Sequence, residues 1–408
     1  GPTVSKMVPR MVDSSKILYG IYFGLTVVQI ILYLAGGDPL FDSLCNAFGT
    51  AGTGGFSNYG SSVGAFDSAV IDAIITFFMV LFGINFALYY CALTGNWRGI
   101  VKSEELRWYL GIFLTVTAAI TVVILPQYGT VGNALRYASF QVASIMSTTG
   151  YATADFSLWP VAARMLIFML MFIGACAGST AGGMKICRIA MLWKQGVRSV
   201  RHTFQPRKVQ VVRFEGKGVD DTLLRETASF AFVYIAMILI GAVLIAFEGK
   251  YDIETNLSAA LTCVSNVGPG FNAVGPAGNF AGYGSFAKVV LSLLMLAGRL
   301  ELYPMLALLY PALWRAGILG LTPEQMGLYT GATLHEVAHV VGVGNAMGAE
   351  IADGAVIVKM IRVMMLAPVL VVMGFVLGRR KSSGACKEKS KILSLIHISE
   401  PTRLDVIS

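Results

Sequence analysis

The sequence predicts an all-α polytopic membrane protein, built from repeated units of helix, pore helix, filter loop and helix. Three observations predict it. Hydrophobic residues fill 55% of the 408 positions and charged residues 13%, with mean hydropathy +0.68, whereas a soluble domain carries about 25% charge. Apolar runs long enough to cross a bilayer, about 20 residues each, lie near 16–35, 69–93, 108–125, 160–190 (interrupted), 224–247, 286–311, 326–347 and 355–378. One unit occurs three times: a long apolar run, a short half-apolar stretch, a loop of small residues around a glycine, and a second long run. Repetition of this kind marks one supersecondary unit used several times.

The first element of each unit is its opening apolar run. The second is a short helix that dips into the membrane. In the first unit it follows Asp38-Pro39, with Pro where a helix starts. In the second it runs from Asn133 to Met146 after Thr130-Val131-Gly132, and in the third from Glu254 to Val264, with acids at its start. The third element is the loop: Thr53-Gly54-Gly55-Phe56-Ser57, Ser147-Thr148-Thr149-Gly150-Tyr151 and Ser265-Asn266-Val267-Gly268-Pro269-Gly270. Its central glycines, Gly55, Gly150 and Gly268, stand 95 and 118 residues apart. Irregular backbone at membrane depth is tolerated where it lines a cavity, and positive φ at glycine can turn successive carbonyls to one side. Such a surface suits a dehydrated cation. The dipping helices would add the partial negative charge of their carbonyl ends, and nearby Thr and Ser hydroxyls would add oxygens.

Charge sets the orientation. The stretches inside the units (36–72, 126–160 and 248–288) hold eight acids against Arg136, Lys250 and Lys288. The stretch 185–226 holds ten bases and four acids, and 94–107 adds Arg98, Lys102 and Arg107. The positive-inside rule places these basic linkers in the cytoplasm and the glycine loops toward the outer face. The outer acids read either as solvated loop charge or as a vestibule that concentrates cations. The +8 net charge is accounted for by topology, with no nucleic-acid partner. The first 15 residues carry Lys6 and Arg10 without an apolar core, so no signal peptide is read there. Six cysteines without paired spacing read as buried free thiols.

The second long run of the middle unit breaks at Gly174-Ala175-Cys176-Ala177-Gly178-Ser179-Thr180-Ala181-Gly182-Gly183, just before Lys185. Each glycine costs a helix about 1 kcal/mol relative to Ala, so a break is expected. It is either close packing of small residues or an intramembrane loop beneath the glycine turns. Arg299 lies in the last run of the third unit, where charge is costly and usually functional; pairing with Glu301 or a lipid headgroup is the alternative.

The runs Ser147–Phe156, Gly178–Lys185, Asn266–Gly270 and Gly298-Arg299-Leu300-Glu301 resemble the Trk/Ktr family of bacterial potassium uptake proteins, TrkH-type subunits most closely, over residues 1–315. The resemblance implies potassium permeation across the bacterial inner membrane, with K+ as the transported ion and no organic cofactor. It implies a filter at Thr53, Gly54, Gly55, Thr148, Thr149, Gly150, Asn266, Val267 and Gly268. It implies gating by Gly178, Ser179, Thr180, Gly182, Gly183, Lys185 and Arg299, a homodimer, and a cytoplasmic nucleotide-binding regulator of TrkA or KtrA type meeting the linker 185–217. The family uses four units. Three are read here, at 1–95, 96–210 and 211–315, the first matching the family's second unit.

The remainder reads differently. Residues 316–380 form two appended membrane helices, opened by the capping box Thr322-Pro323-Glu324-Gln325. Tyr329–His339 and Asp353–Val363 resemble the YeiH-type family described as sulfate exporters, which makes anion export the alternative function. His335-Glu336-Val337-Ala338-His339 matches the two-histidine zinc pattern. Asn345 stands where a third histidine would, which leaves metalloproteolysis the weaker alternative. The tail 381–408 is expected to be non-native, since Leu393–Arg403 resembles translated sequencing-adapter DNA. The chain is expected to join a Trk-type piece to another gene and, as a three-unit fragment, to conduct nothing alone; a natural fusion is the other possibility.

Overall fold

The computed structural model describes residues 11–205 and 210–299 and, beyond them, Trp314, residues 322–326, Met347 and Ile351. The chain divides into two compact units, Gly1–Leu302 and Tyr303–Ser408.

The first unit is helical. Its helices are α1 (Met11–Ala35), α2 (Leu40–Ala51), α3 (Ala69–Phe82), α4 (Phe86–Leu93), α5 (Trp97–Lys102), α6 (Glu104–Tyr128), α7 (Val131–Met146), α8 (Val161–Ile173), α9 (Ile186–Phe204), α10 (Asp221–Ala246), α11 (Ile253–Ser265) and α12 (Ser285–Arg299). One short antiparallel pair, Arg213–Phe214 with Lys217–Gly218, interrupts the basic linker. Side chains set the helix starts. Ser103 accepts from Leu106 N, Thr130 from Asn133 N and Asp252 from Thr255 N, each satisfying one orphan donor. Pro39 precedes α2 with ψ 147°, far from the helical value, so it stands at the cap position rather than inside the helix.

The packing repeats. A long helix (α1, α6, α10) lies against a short one (α2, α7, α11), and both lie against a second helix (α3, α8, α12). Each second helix also packs on the short helix of the following unit: α3 on α7, and α8 on α11. Helices Ile17–Ala35, Glu104–Tyr128 and Asp221–Ala246 are long and apolar enough to cross a membrane. They leave residues such as Phe23, Leu114, Phe232 and Ile240 exposed, as lipid-facing helices do. The largest core gathers α6, α7, α8, α10, α11 and α12 around Ile124, Val142, Ile167, Tyr234, Leu261 and Leu291.

Two apolar runs depart from straight spans. The run 69–93 is not one helix but α3 and α4, bent by 93°. The Tyr109 hydroxyl lies where a Cβ of Gly83 would stand and donates to Val80 O at 3.1 Å. Gly83 O then accepts Cys176 N–H from the broken run, and Asn85 caps α4 through Ala87 N. Periodicity could not reveal this bend, because the apolar character continues across it. The run 160–190 breaks where its glycines predict, with no helix between Ile173 and Ile186.

Most of the basic linker is helix. Within it Arg198 pairs with Asp221 at 2.8 Å and Lys194 with Glu104. Cys176, Cys187 and Cys263 are buried free thiols; Cys45 and Cys91 are only half-buried, a correction to the expectation for them. In the second unit the capping box forms: Thr322 Oγ1 accepts from Gln325 N at 3.3 Å and Gln325 Oε1 from Thr322 N at 3.0 Å.

Candidate functional site

The three glycine loops share a pattern of positive φ at two positions. A residue of positive φ follows the end of each short helix by one or two positions, and a glycine of positive φ comes two residues later: Thr53 (50°) and Gly55 (63°), Thr148 (56°) and Gly150 (83°), Asn266 (55°) and Gly268 (110°). The turn hydrogen bonds repeat as well. Gly54 N, Thr149 N and Val267 N each reach five residues back, to Gly49 O (2.8 Å), Ser144 O (2.9 Å) and Thr262 O (3.0 Å). A left-handed non-glycine residue costs about 1–2 kcal/mol. Finding that strain at one register in three loops points to function rather than accident.

The loops also abut. A Cβ on Gly55 would collide with Thr149 O and approach Gly150 C at 3.1 Å; a Cβ on Gly150 would collide with Val267 O and approach Pro269 Cδ at 3.2 Å. Only glycine lets the backbones come so close. Behind them, the Tyr151 hydroxyl reaches Asn46 O (3.1 Å) and Phe56 O (3.2 Å), bracing the first loop from the second. The nine candidate filter residues therefore fall in one place.

The candidate gating loop, 174–185, lies against all three. Thr53 Oγ1 donates to Thr180 O at 3.0 Å, Gly182 N donates to Thr148 Oγ1 at 2.7 Å, and a Cβ on Gly182 would meet Ser265 O at 2.5 Å and Asn266 Cβ at 3.3 Å. Thr53, Thr148 and Asn266 are the three left-handed non-glycine positions of the glycine loops. Arg299 Nη1 donates to the same Thr180 O at 3.2 Å, so this carbonyl ties α12 to the loop. The Thr53 and Thr148 hydroxyls are both hydrogen-bonded to this loop. The loop is anchored elsewhere by Ala177 N to Glu105 Oε1 (2.6 Å), Phe86 N to Gly178 O (3.2 Å), Ser179 Oγ to Cys176 O (2.6 Å) and Lys185 Nζ to Ala181 O. Gly174 and Gly183 pack backbone to backbone where it leaves and rejoins the helices.

A family model described as cation transport protein (TrkH) matches residues 4–313. The chain belongs to the TrkH family. It is 34% identical over 314 residues to the Trk system potassium uptake protein TrkH of Salmonella typhimurium, and 37% identical over 322 residues to that of Halomonas elongata. Each match covers 76% of this chain and 64% of the relative, so the chain spans under two thirds of the length of these curated relatives. The crystal structure of the potassium transporter TrkH from Vibrio parahaemolyticus aligns with a TM-score of 0.69 at 30% identity, over 76% of this chain and 67% of that one. A second model, conserved hypothetical protein 698, matches residues 285–397. The relatives of this TrkH-family chain are named as transport proteins, and the chain is a membrane protein.

Within this frame the outer acids are mostly structural. Asp42 accepts from Asn58 Nδ2 and Tyr59 OH, both at 2.8 Å. Asp72 pairs with Arg136 at 2.7 Å, Glu254 pairs with Arg164, and Glu248 accepts from Gly284 N and Ala287 N at the start of α12. Sequence reasoning missed these pairs, and it missed Glu105 and Tyr151 as anchors; only the common register of the units could have signalled the first. His335, Glu336 and His339 lie outside the described residues, as does nearly all of 316–408. Among the described residues no group of three His, Cys, Asp or Glu could hold a metal.

Proposed function

We propose that this chain supplies three quarters of a K+-selective pathway in the bacterial inner membrane. Carbonyls along 53–55, 148–150 and 266–268 replace the water shell of a monovalent cation. The observation that carries this reading is the shared left-handed pattern of three loops packed edge to edge, with the carbonyl ends of α2, α7 and α11 behind them. Membership of a cation-transport family and relatives named as potassium uptake proteins support K+ as the cargo.

Thr180–Gly182 bars the inner end of the pathway, and Arg299 holds it through Thr180 O. Opening requires this loop to give up its bonds to Thr53 and Thr148. The basic linker, with α9, meets a cytoplasmic nucleotide-binding regulator of TrkA type, and two chains form a dimer. The test is growth and Rb+ uptake in a strain lacking its own potassium transporters. The chain extended by a fourth unit rescues growth at low K+, and Arg299→Ala in that extended chain raises flux. Failure of rescue by the extended, membrane-inserted chain would sink the potassium reading.

A further inference from the structure

The antiparallel pair in the basic linker grips the start of α6. Phe214 faces Lys217 across the pair, so Glu215 and Gly216 form a two-residue turn. Both have positive φ, 50° and 74°. Such a turn ordinarily takes Asn, Asp or Gly at its first position, and a longer side chain there is strained. What Glu215 supplies is a carboxylate with reach. Its Oε1 accepts from Ser103 Oγ and from Glu105 N, both at 2.9 Å and from residues 112 and 110 positions away. Its own N–H donates to Glu104 Oε2 at 3.3 Å. The turn thus seats an anion on the open N–H groups at the start of α6, where a helix favours negative charge.

The residue that Glu215 grips also reaches the loop at 174–185. Glu105 gives its backbone N–H to Glu215 and takes Ala177 N on its side-chain Oε1 at 2.6 Å. One buried residue therefore separates the linker turn from that loop. A cap that served α6 alone would need Glu215 and Ser103; it would not need the Glu105 side chain turned to Ala177. The root of the pair rides on two helices. Val212 is buried with Met191 of α9 and Leu224 of α10, and Lys194 Nζ of α9 donates to Arg213 O at 2.7 Å. The turn moves with those helices, while Glu215 itself is exposed.

We propose that Glu215 and Glu105 are positioning residues of the gating loop, and that the turn at Glu215-Gly216 is the point through which the basic linker holds that loop shut. This rests on the reading of 174–185 as the gate. With Glu215 seated, Glu105 keeps its carboxylate on Ala177, and the loop stays against Thr53 and Thr148. With Glu215 withdrawn, Ser103 Oγ and Glu105 N lose their acceptor, the first turn of α6 loosens, and the loop loses its hold at Ala177. Two opposed terms set the balance. Left-handed strain at Glu215 favours withdrawal, and its charge-assisted bonds to α6 oppose it. A shift of α9 or α10 tips that balance by moving the root of the pair.

Two native thiols supply the test. Cys176, beside Ala177, is 0% exposed and reports the loop; Cys263 in α11 is 2% exposed and reports the rest of the fold. The full chain in membrane vesicles is treated with N-ethylmaleimide, and each thiol is followed by peptide mass spectrometry. Glu215→Ala and Glu105→Ala are each expected to speed modification of Cys176 about tenfold, with Cys263 unchanged. Glu215→Gln, whose amide oxygen still accepts both bonds, is expected to keep the wild-type rate. The double variant Glu105→Ala with Glu215→Ala should be no faster than Glu105→Ala alone, because Glu215 acts through Glu105. A Cys176 rate unmoved by Glu215→Ala would overturn the proposal. So would a double variant whose gain is the product of the two single gains, or an equal rise at Cys263, which means general loosening. These rates need no ion flux. Failed Rb+ uptake with the expected rates sinks the potassium reading alone, and uptake with a Cys176 rate indifferent to Glu215 sinks the relay alone.

Discussion

Gly55 and Gly150 are the residues whose identity the site constrains most. Each needs positive φ, and each faces a neighbouring carbonyl where a Cβ would stand. Gly268 shares the backbone demand, but its Cβ would meet only Gly150 Cα at 3.8 Å. Alanine at any of the three adds about 1–2 kcal/mol of left-handed strain; at the first two it also drives adjacent loops apart. Gly55→Ala and Gly150→Ala are therefore expected to abolish K+ selectivity, read as the ratio of Rb+ to Na+ uptake in the four-unit chain. Gly268→Ala should keep more of it. Equal loss at all three would refute the ranking.

At the scale of the element, α12 depends on a cap from outside itself. The Glu248 carboxylate accepts Gly284 N at 2.7 Å and Ala287 N at 3.0 Å. Those backbone donors, with Lys250 adding to them, hold its pKa below the ordinary carboxylate value of 4.5. A depressed pKa means the stabilisation is present above the unfolded value and lost as pH falls through the folded one. Amide protection at 284–288 should thus hold near neutrality and decline only below about pH 4.5. Glu248→Gln should lower protection at neutral pH and flatten that decline. An unchanged profile in the variant would show that the cap does not steady the helix. The element matters to function because Arg299, at the far end of α12, holds Thr180 O.

For the whole molecule, ion pairs join elements far apart in sequence. Asp72 is 3% exposed at its side chain, and Arg136 supplies its ion-pair partner. Removing one member of a buried pair typically costs about 3–5 kcal/mol, so Arg136→Ala should lower the thermal midpoint of the detergent-solubilised chain by several degrees. The Arg164–Glu254 pair already runs with the reverse polarity between α8 and α11. Exchange of charge, Asp72→Arg with Arg136→Glu, should therefore recover much of the loss. An exchanged pair no more stable than Arg136→Ala would mean that local packing, not the pair, sets the junction.

The membrane class, the three units and the glycine turns were legible in the sequence because each rests on local chemistry: apolar length, helix-start residues, and glycine where left-handed backbone is needed. The break at 174–183 was legible for the same reason. The 93° bend at Gly83–Asn85 was not, because apolar residues continue across it and its close neighbour at Gly83 is Tyr109, more than twenty residues away. Nor was the meeting of Thr180 O with both Thr53 and Arg299, residues separated by 127 and 119 positions from it. Composition and spacing determined which segments form the short helices and where the chain turns after them. Tertiary packing alone decided which carbonyls face one another and which charges pair, because those contacts depend on how helices far apart in the chain stack, and no short-range pattern encodes that.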